Sequence, residues 1–142
     1  MSSLTKMFLA IPVGLYRLSN GMLGGRLGPF KVLLLTTTGR KSGQLHTTAL
    51  GLFERPNGYV VVASNSGSDH APAWYLNLKS NPKATIQVFE KVIPVTAEIL
   101  SGQPRDEAWQ QVISSAPQYA NYQKKTTRQI PLVLLHPDHS PA

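Results

Sequence analysis

The sequence predicts a mainly β, α+β domain, closed into a small barrel of about six mostly antiparallel strands with flanking helices. Three observations carry this. Short apolar, β-branched runs recur along the chain, and the links between them are mostly of hairpin length, which favours antiparallel pairing. A few segments with helical spacing interrupt the strands. Six strands in an open sheet would also expose edges, which closure into a barrel removes. The chain has 142 residues, 42% hydrophobic and 15% charged, enough for one domain with its own core and too apolar for wholesale disorder.

Taken in order, Met1 to Leu27 carries the apolar run Met7–Leu15 behind Lys6. Pro12 and Gly14 interrupt it, no small-residue cleavage site follows, and it falls short of the about 20 residues a membrane span needs. Two readings stay open. Met7, Leu9, Val13, Tyr16 and Leu18 could form an irregular amphipathic helix laid across the open end of the domain. Alternatively, that face touches a membrane surface, with Lys6 and Arg17 meeting anionic lipid. Residues 28–137 then form the barrel domain. Lys31–Thr37 and Gln44–Phe53 read as strands around the turn Gly39–Gly43, and Pro56-Asn57-Gly58 marks a second turn before the strand Tyr59–Ala63. Ser64–His70 is a polar loop. Pro72 opens a short helix, Ala73–Lys79, which Asn81-Pro82 ends. Lys83–Phe89 and Ile93–Leu100 alternate as a hairpin. Pro104–Ser115 is an amphipathic helix with Ala108, Trp109, Val112 and Ile113 inward. Ala116–Gln123 is a helix start or a loop. Ile130–Leu135 is the last strand, with Pro131 pointing to an edge or a first position. Residues 138–142 are expected to fray.

Charge narrows the function. Fourteen Lys and Arg against seven Asp and Glu leave a net +7, which calls for an anionic partner: nucleic acid, a membrane surface or a polyanionic small molecule. The chain has no cysteine, so disulfides, iron–sulfur clusters, thiolate zinc sites and cysteine nucleophiles are out. Its four histidines, His46, His70, His136 and His139, lack metal-site spacing. The few carboxylates form no acid/base pair, and Gly67-Ser68-Asp69-His70 cannot make a triad from sequence neighbours. No strand interleaves basic and aromatic residues, which speaks against a nucleic-acid module.

Three features remain. In Gly39-Arg40-Lys41-Ser42-Gly43, two cations and a hydroxyl sit between glycines that let the backbone approach a ligand. The spacing is not that of a P-loop, and a strand rather than a helix follows; a solvated basic hairpin would look the same. Trp74 and Tyr75 could be core aromatics or face a ligand. Tyr119 and Tyr122 could cap the core or cover a pocket, and Lys124, Lys125 and Arg128 extend the positive charge behind them. A basic loop without catalytic groups suggests a cofactor that carries its own reactivity.

The ordered set LLTTTGRKSGQ, TTALGLF, VVASNSG, APAWYLNLKSNPKATIQV and YxxYQxxTxRxIPLVLL resembles the deazaflavin-dependent nitroreductase family, whose members use coenzyme F420. The resemblance spans Phe30 to Pro137. It implies a split β-barrel akin to FMN-binding proteins, and a hydride passed from the reduced deazaflavin to a quinone, enone or nitroaromatic. It also implies a cytoplasmic protein, in some members associated with the inner face of the membrane, and either a monomer or a homodimer. By position, Arg40, Lys41 and Ser42 would meet the cofactor phosphate, and His46, Thr47, Thr48, Ala49, Leu50 and Gly51 would run beneath the cofactor. Val62, Ala63, Ser64 and Asn65 would approach the ring system, and Ala73, Trp74, Tyr75, Leu76 and Asn77 would supply the aromatic helix. Ser64 would hydrogen-bond the developing anion on the acceptor. Tyr119 would flank ring and substrate and supply a proton, with Tyr122 nearby. Where relatives carry aromatics this chain has Gly51 and Ala116, and where they carry cations it has His46 and Asn65. The pattern implies a roomier or rearranged substrate pocket, lined by Gly51, Ala116, Tyr119 and Tyr122, and weaker contacts to the oligoglutamate tail that the resemblance gives the cofactor. FMN in place of F420, and a carrier that binds a flavin, haem or deazaflavin without turnover, are the rival readings.

Overall fold

The computed structural model describes residues 13–27 and 30–138. Met7, Leu9, Lys6 and the tail beyond Asp138, all part of the sequence expectations, lie outside the described residues. The elements are α1 (Val13–Leu18), β1 (Arg26–Leu27), β2 (Phe30–Thr38), β3 (Leu45–Arg55), β4 (Gly58–Val62), a 3-10 turn at Asn65–Gly67, α2 (Ala73–Ser80), β5 (Lys83–Val88), β6 (Lys91–Ile99), α3 (Gly102–Ser115), α4 (Gln118–Lys124) and β7 (Leu132–Pro137).

Six strands pair antiparallel in the order β2-β3-β4-β7-β6-β5, and β5 returns to β2 through Leu34↔Gln87, Leu35↔Ile86 and Thr36↔Thr85, which closes the barrel. The two-residue β1 is an addition to the expected strands. It occupies the part of the β2 edge that β5 leaves open, through Arg26↔Lys31 and Leu27↔Phe30. The last strand differs from expectation. It starts at Leu132 and lies between β4 and β6, with no free edge, while Pro131 stays outside the ladder and accepts a hydrogen bond from the Ala63 N–H at 3.0 Å. Proline thus keeps to the position where its missing N–H costs nothing. The segment left open as helix start or loop is helical, entered through Pro117.

Strand alternation splits the core into three layers. Leu33, Leu35, Leu52, Val61, Ile86, Val95, Val133 and Leu135 point inward and fill the barrel. On the outer face, Phe53, Val60, Val62, Leu132 and Leu134 pack beneath Ala108, Val112, Tyr119 and Tyr122 of α3 and α4. On the opposite side, Val32, Leu34 and Ala49 receive Tyr16 from α1. Tyr16 is fully buried, donates to the Val32 carbonyl at 2.8 Å and accepts from the Phe89 N–H at 2.9 Å. The segment before the barrel is thereby fastened to it. Gly58 is required in the β3–β4 hairpin: its φ is 156° and a Cβ there would strike the Leu135 carbonyl. Asp138, expected to fray, is held by Thr96 Oγ1 at 2.6 Å and by its own N–H on the Pro94 carbonyl at 2.8 Å.

Candidate active site

Antiparallel topology brings two loops to one end of the barrel. The β2–β3 turn leaves there, and so does the loop that runs from the end of β4 to α2. Between them α2 plugs the barrel end, with Trp74 and Leu78 buried among the interior side chains. A cleft of about 350 Å³ opens over this plug, lined by Thr37, Gly39, Arg40, Lys41, Ser42, His46, Thr47, Thr48, Ala73, Trp74 and Asn77.

The turn is built to present its cations. Gly43 sits at φ 72° and its N–H reaches the Gly39 carbonyl at 2.9 Å, while the Gly39 N–H reaches the Gln44 carbonyl at 2.7 Å. A Cβ on Gly39 would lie 2.8 Å from Ser42 Oγ and 2.9 Å from His46 Nε2, so a larger residue there would require these two side chains to move. Arg40 and Lys41 are exposed. One buried side chain anchors the turn from below: Asn77 accepts from the Arg40 N–H at 3.1 Å and donates to Thr37 Oγ1 at 3.1 Å. Arg17 of α1 donates to Thr47 Oγ1 at 3.0 Å, and Thr47 pairs with Thr36 Oγ1 at 2.8 Å. The result is a polar, cationic mouth over the buried ring of Trp74. This donor set suits a ligand with an anionic, phosphate-like group and a flat apolar part.

The structure brings nine of the expected residues to this cleft: Arg40, Lys41, Ser42, His46, Thr47, Thr48, Ala73, Trp74 and Asn77. Thr37 and Gly39 also line it. The alternation that turns Leu33 and Leu35 inward carries on to Thr37, so the signal was present. The remaining residues lie elsewhere at this end or beneath it. Ala49 packs against Tyr16, Gly51 is buried opposite Val32, and Leu50, Ala63 and Tyr75 join the barrel interior. Leu76 is half-buried on α2. Val62, Ala116, Tyr119 and Tyr122 form the layer under α3 and α4. Tyr119 stands edge-on to Phe53 at 6.1 Å and to Tyr122 at 5.6 Å, and burial pushes its hydroxyl well above the ordinary tyrosine range. Ser64 and Asn65 belong to the second loop. Ser64 is buried, whereas Asn65 is exposed and donates to the His70 carbonyl at 2.9 Å.

The positive charge is also divided differently from a single groove. Lys31 pairs with Glu54 at 2.6 Å, Lys83 with Asp138 at 3.4 Å, and Lys79 and Lys125 lie over the rings of Tyr75 and Tyr122, each 5.7 Å from the centroid. Arg105 is buried in α3, with Nη2 on the Ile130 carbonyl at 2.7 Å and the guanidinium 4.8 Å from the Trp109 ring centroid. Burial lowers its pKa. Among the described residues, only Arg40 and Lys41 bring full charges to the cleft lining.

A sequence profile of F420H(2)-dependent quinone reductases matches residues 9–137. The chain belongs to this family. The F420H(2)-dependent quinone reductase of Mycobacterium tuberculosis (strain ATCC 25618 / H37Rv) is 42% identical over 125 residues, 85% of this chain and 84% of that protein. Among solved structures, an F420-H2 dependent reductase (FDR-A) is similar with a TM-score of 0.68 at 40% identity, over 74% of this chain and 93% of the other. A second, described as a domain-swapped dimer, gives 0.69 at 40% identity, over 74% and 79%. The chain therefore has the barrel that the strand pattern implied, in the split-barrel, flavin-reductase-like form that the resemblance implied, and it is an oxidoreductase of the quinone reductase family. Among the described residues, no helix is long and apolar enough to cross a membrane.

Proposed function

We propose that this chain binds coenzyme F420 in the cleft over Trp74 and reduces a quinone, enone or nitroaromatic acceptor. The observation that carries the reading is the juxtaposition of the Arg40–Lys41 turn with the Trp74 ring in one cleft of a chain from the quinone reductase family. When bound, the reduced cofactor supplies a hydride. Arg40 and Lys41 contribute charge-assisted contacts to its phosphate, and Ser42 adds a hydroxyl. Asn77 keeps the turn seated. Thr47, Thr48 and His46 form the wall, and Ala73 and Trp74 the floor. Ser64 stabilises negative charge developing on the acceptor. Tyr119 backs this region with Ala116 and Tyr122. Protonated and buried, its hydroxyl reaches the acceptor only if the layer under α4 opens.

The test is anaerobic reoxidation of F420H2 by menadione, a nitroaromatic and cyclohexenone, each with the purified full-length chain. Saturable reoxidation with at least one acceptor supports the reductase reading. Tight F420 binding without turnover of any of them makes the protein a carrier.

The acceptor side bears on two further assignments. Leu15, Leu18, Met22 and Leu23 are exposed on α1 and the turn after it, with Arg17 among them; this favours peripheral contact with an anionic membrane. Vesicle co-sedimentation should weaken for Leu18→Ser/Met22→Ser, a variant that spares the buried Tyr16. The domain-swapped relative favours a homodimer over a monomer, which light scattering resolves.

A further inference from the structure

The loop between β4 and α2 holds an uncommon backbone. Asn65, Ser66 and Gly67 follow one another at φ 44°, 57° and 81°. Two of these are not glycine; asparagine takes up the left-handed region readily, whereas at Ser66 it persists only where the surroundings enforce it. Within the loop, the Gly67 N–H reaches the Ser64 carbonyl at 2.9 Å, the Ser68 N–H the Asn65 carbonyl at 3.0 Å, the Asn65 amide the His70 carbonyl at 2.9 Å and the His70 N–H the Ser68 Oγ at 3.2 Å. A further restraint comes from outside. Arg128, on the segment between α4 and β7, donates from Nε to the Ser68 carbonyl at 2.9 Å. Its Nη1 and Nη2 each reach the Ala63 carbonyl at 3.2 Å, and Nη2 also reaches the Ser64 carbonyl at 2.9 Å. One rigid fork thus fixes three peptide planes, those after Ala63, Ser64 and Ser68.

Neighbouring contacts act in the same direction. Thr126 Oγ1 donates to Asp69 at 2.7 Å, and a Cβ on Gly67 would sit 2.7 Å from the Tyr122 carbonyl, so the loop is pressed onto α4. The sequence suggested that Arg128 adds charge to an anion groove. Its N–H groups instead face protein carbonyls, which leaves it poorly placed to greet a ligand.

We propose that Arg128 is a positioning residue for turnover: its guanidinium clamps the β4–α2 loop in its left-handed form and so sets where Ser64 stands relative to the reacting acceptor. This rests on the reading above, in which the Ser64 loop serves the chemistry and the Arg40–Lys41 turn serves binding.

The experiment compares Arg128→Gln and Arg128→Lys, each alone and with Ser66→Gly, in the full-length chain. Turnover of F420H2 with menadione at saturation should fall about tenfold or more in both single variants, while the F420 dissociation constant stays within about twofold. A lysine ammonium cannot span three carbonyls as the fork does, so Arg128→Lys should not restore the rate. Ser66→Gly should recover about threefold of the lost rate, because glycine takes a positive φ without strain. Exchange of the amides of residues 64–68 should quicken about tenfold in both single variants. Wild-type turnover in Arg128→Lys, unchanged exchange, or a loss of F420 affinity with turnover at saturation preserved would each overturn the proposal. Failure of the unmodified protein to oxidise F420H2 would count against the functional reading instead, and the exchange data would still decide whether Arg128 clamps the loop.

Discussion

The two loops at the cleft end of the barrel are made in opposite ways. The β2–β3 turn is short and glycine-flanked, with its cations held out to solvent and a single buried side chain, Asn77, beneath it. The loop after β4 is longer, holds two non-glycine residues at positive φ, and is gripped by Arg128 through four hydrogen bonds. A turn that carries free charge can adapt to a flexible anionic group. A clamped loop holds a polar atom in one place. Binding energy and transition-state stabilisation have these different requirements, and this fold meets them with adjacent loops on one end of one barrel.

The largest effect that sharpens the contrast is at Ser64. Ser64→Ala should lower turnover at saturation by about 10- to 100-fold with the F420 dissociation constant nearly unchanged, as expected for a lost donor to a developing anion. Full turnover with every acceptor would break the assignment. Next comes the turn: Lys41→Ala and Arg40→Ala should each weaken F420 binding about tenfold, with turnover at saturation retained and a shallower dependence of affinity on salt. Titrations at two salt concentrations check this.

Asn77→Leu leaves the Arg40 N–H and the Thr37 hydroxyl without their partner. It should cost about 1–2 kcal/mol of stability and loosen F420 several-fold, less than loss of a cation, since the charges themselves remain. The smallest effect concerns Tyr119, whose burial raises its pKa. Above about pH 10 the unfolded chain would ionise this tyrosine while the folded chain keeps it protonated, so stability falls as pH rises there. Tyr119→Phe should flatten that alkaline loss in urea melts, and turnover near neutral pH should stay within about twofold. A large loss of turnover on removing this one hydroxyl would instead make it a proton source.

Much of this was legible in the chain. The β-branched runs at 31–37 and 59–63 and the turn residues at 56–58 specify strands and hairpins through local preferences that tertiary structure did not override. The glycine-flanked basic turn announces itself through residue type and spacing, and it lines the cleft. What stayed hidden depends on where a long side chain goes. Arg105 and Arg128 count as charges in a composition, yet one is buried against Trp109 and the other faces loop carbonyls. Nothing local distinguishes them from Arg40. For Tyr119 the neighbouring residues left core cap and pocket cover equally open, and only the resemblance set it beside the ligand; once α4 forms, its register turns the ring onto Phe53. Tyr16 shows the same limit, since its acceptors lie at Val32 and Gln87, far along the chain.

The claim that the cleft over Trp74 is the cofactor site is tested most directly by tryptophan fluorescence in Trp109→Phe, which leaves Trp74 as the sole reporter. F420 should quench it saturably at micromolar concentrations. FMN, and a deazaflavin stripped of its phosphate and glutamate tail, should bind much more weakly, because the Arg40–Lys41 turn then has less charge to hold. No quenching by F420 in that range, or equal affinity for all three ligands, would contradict the account.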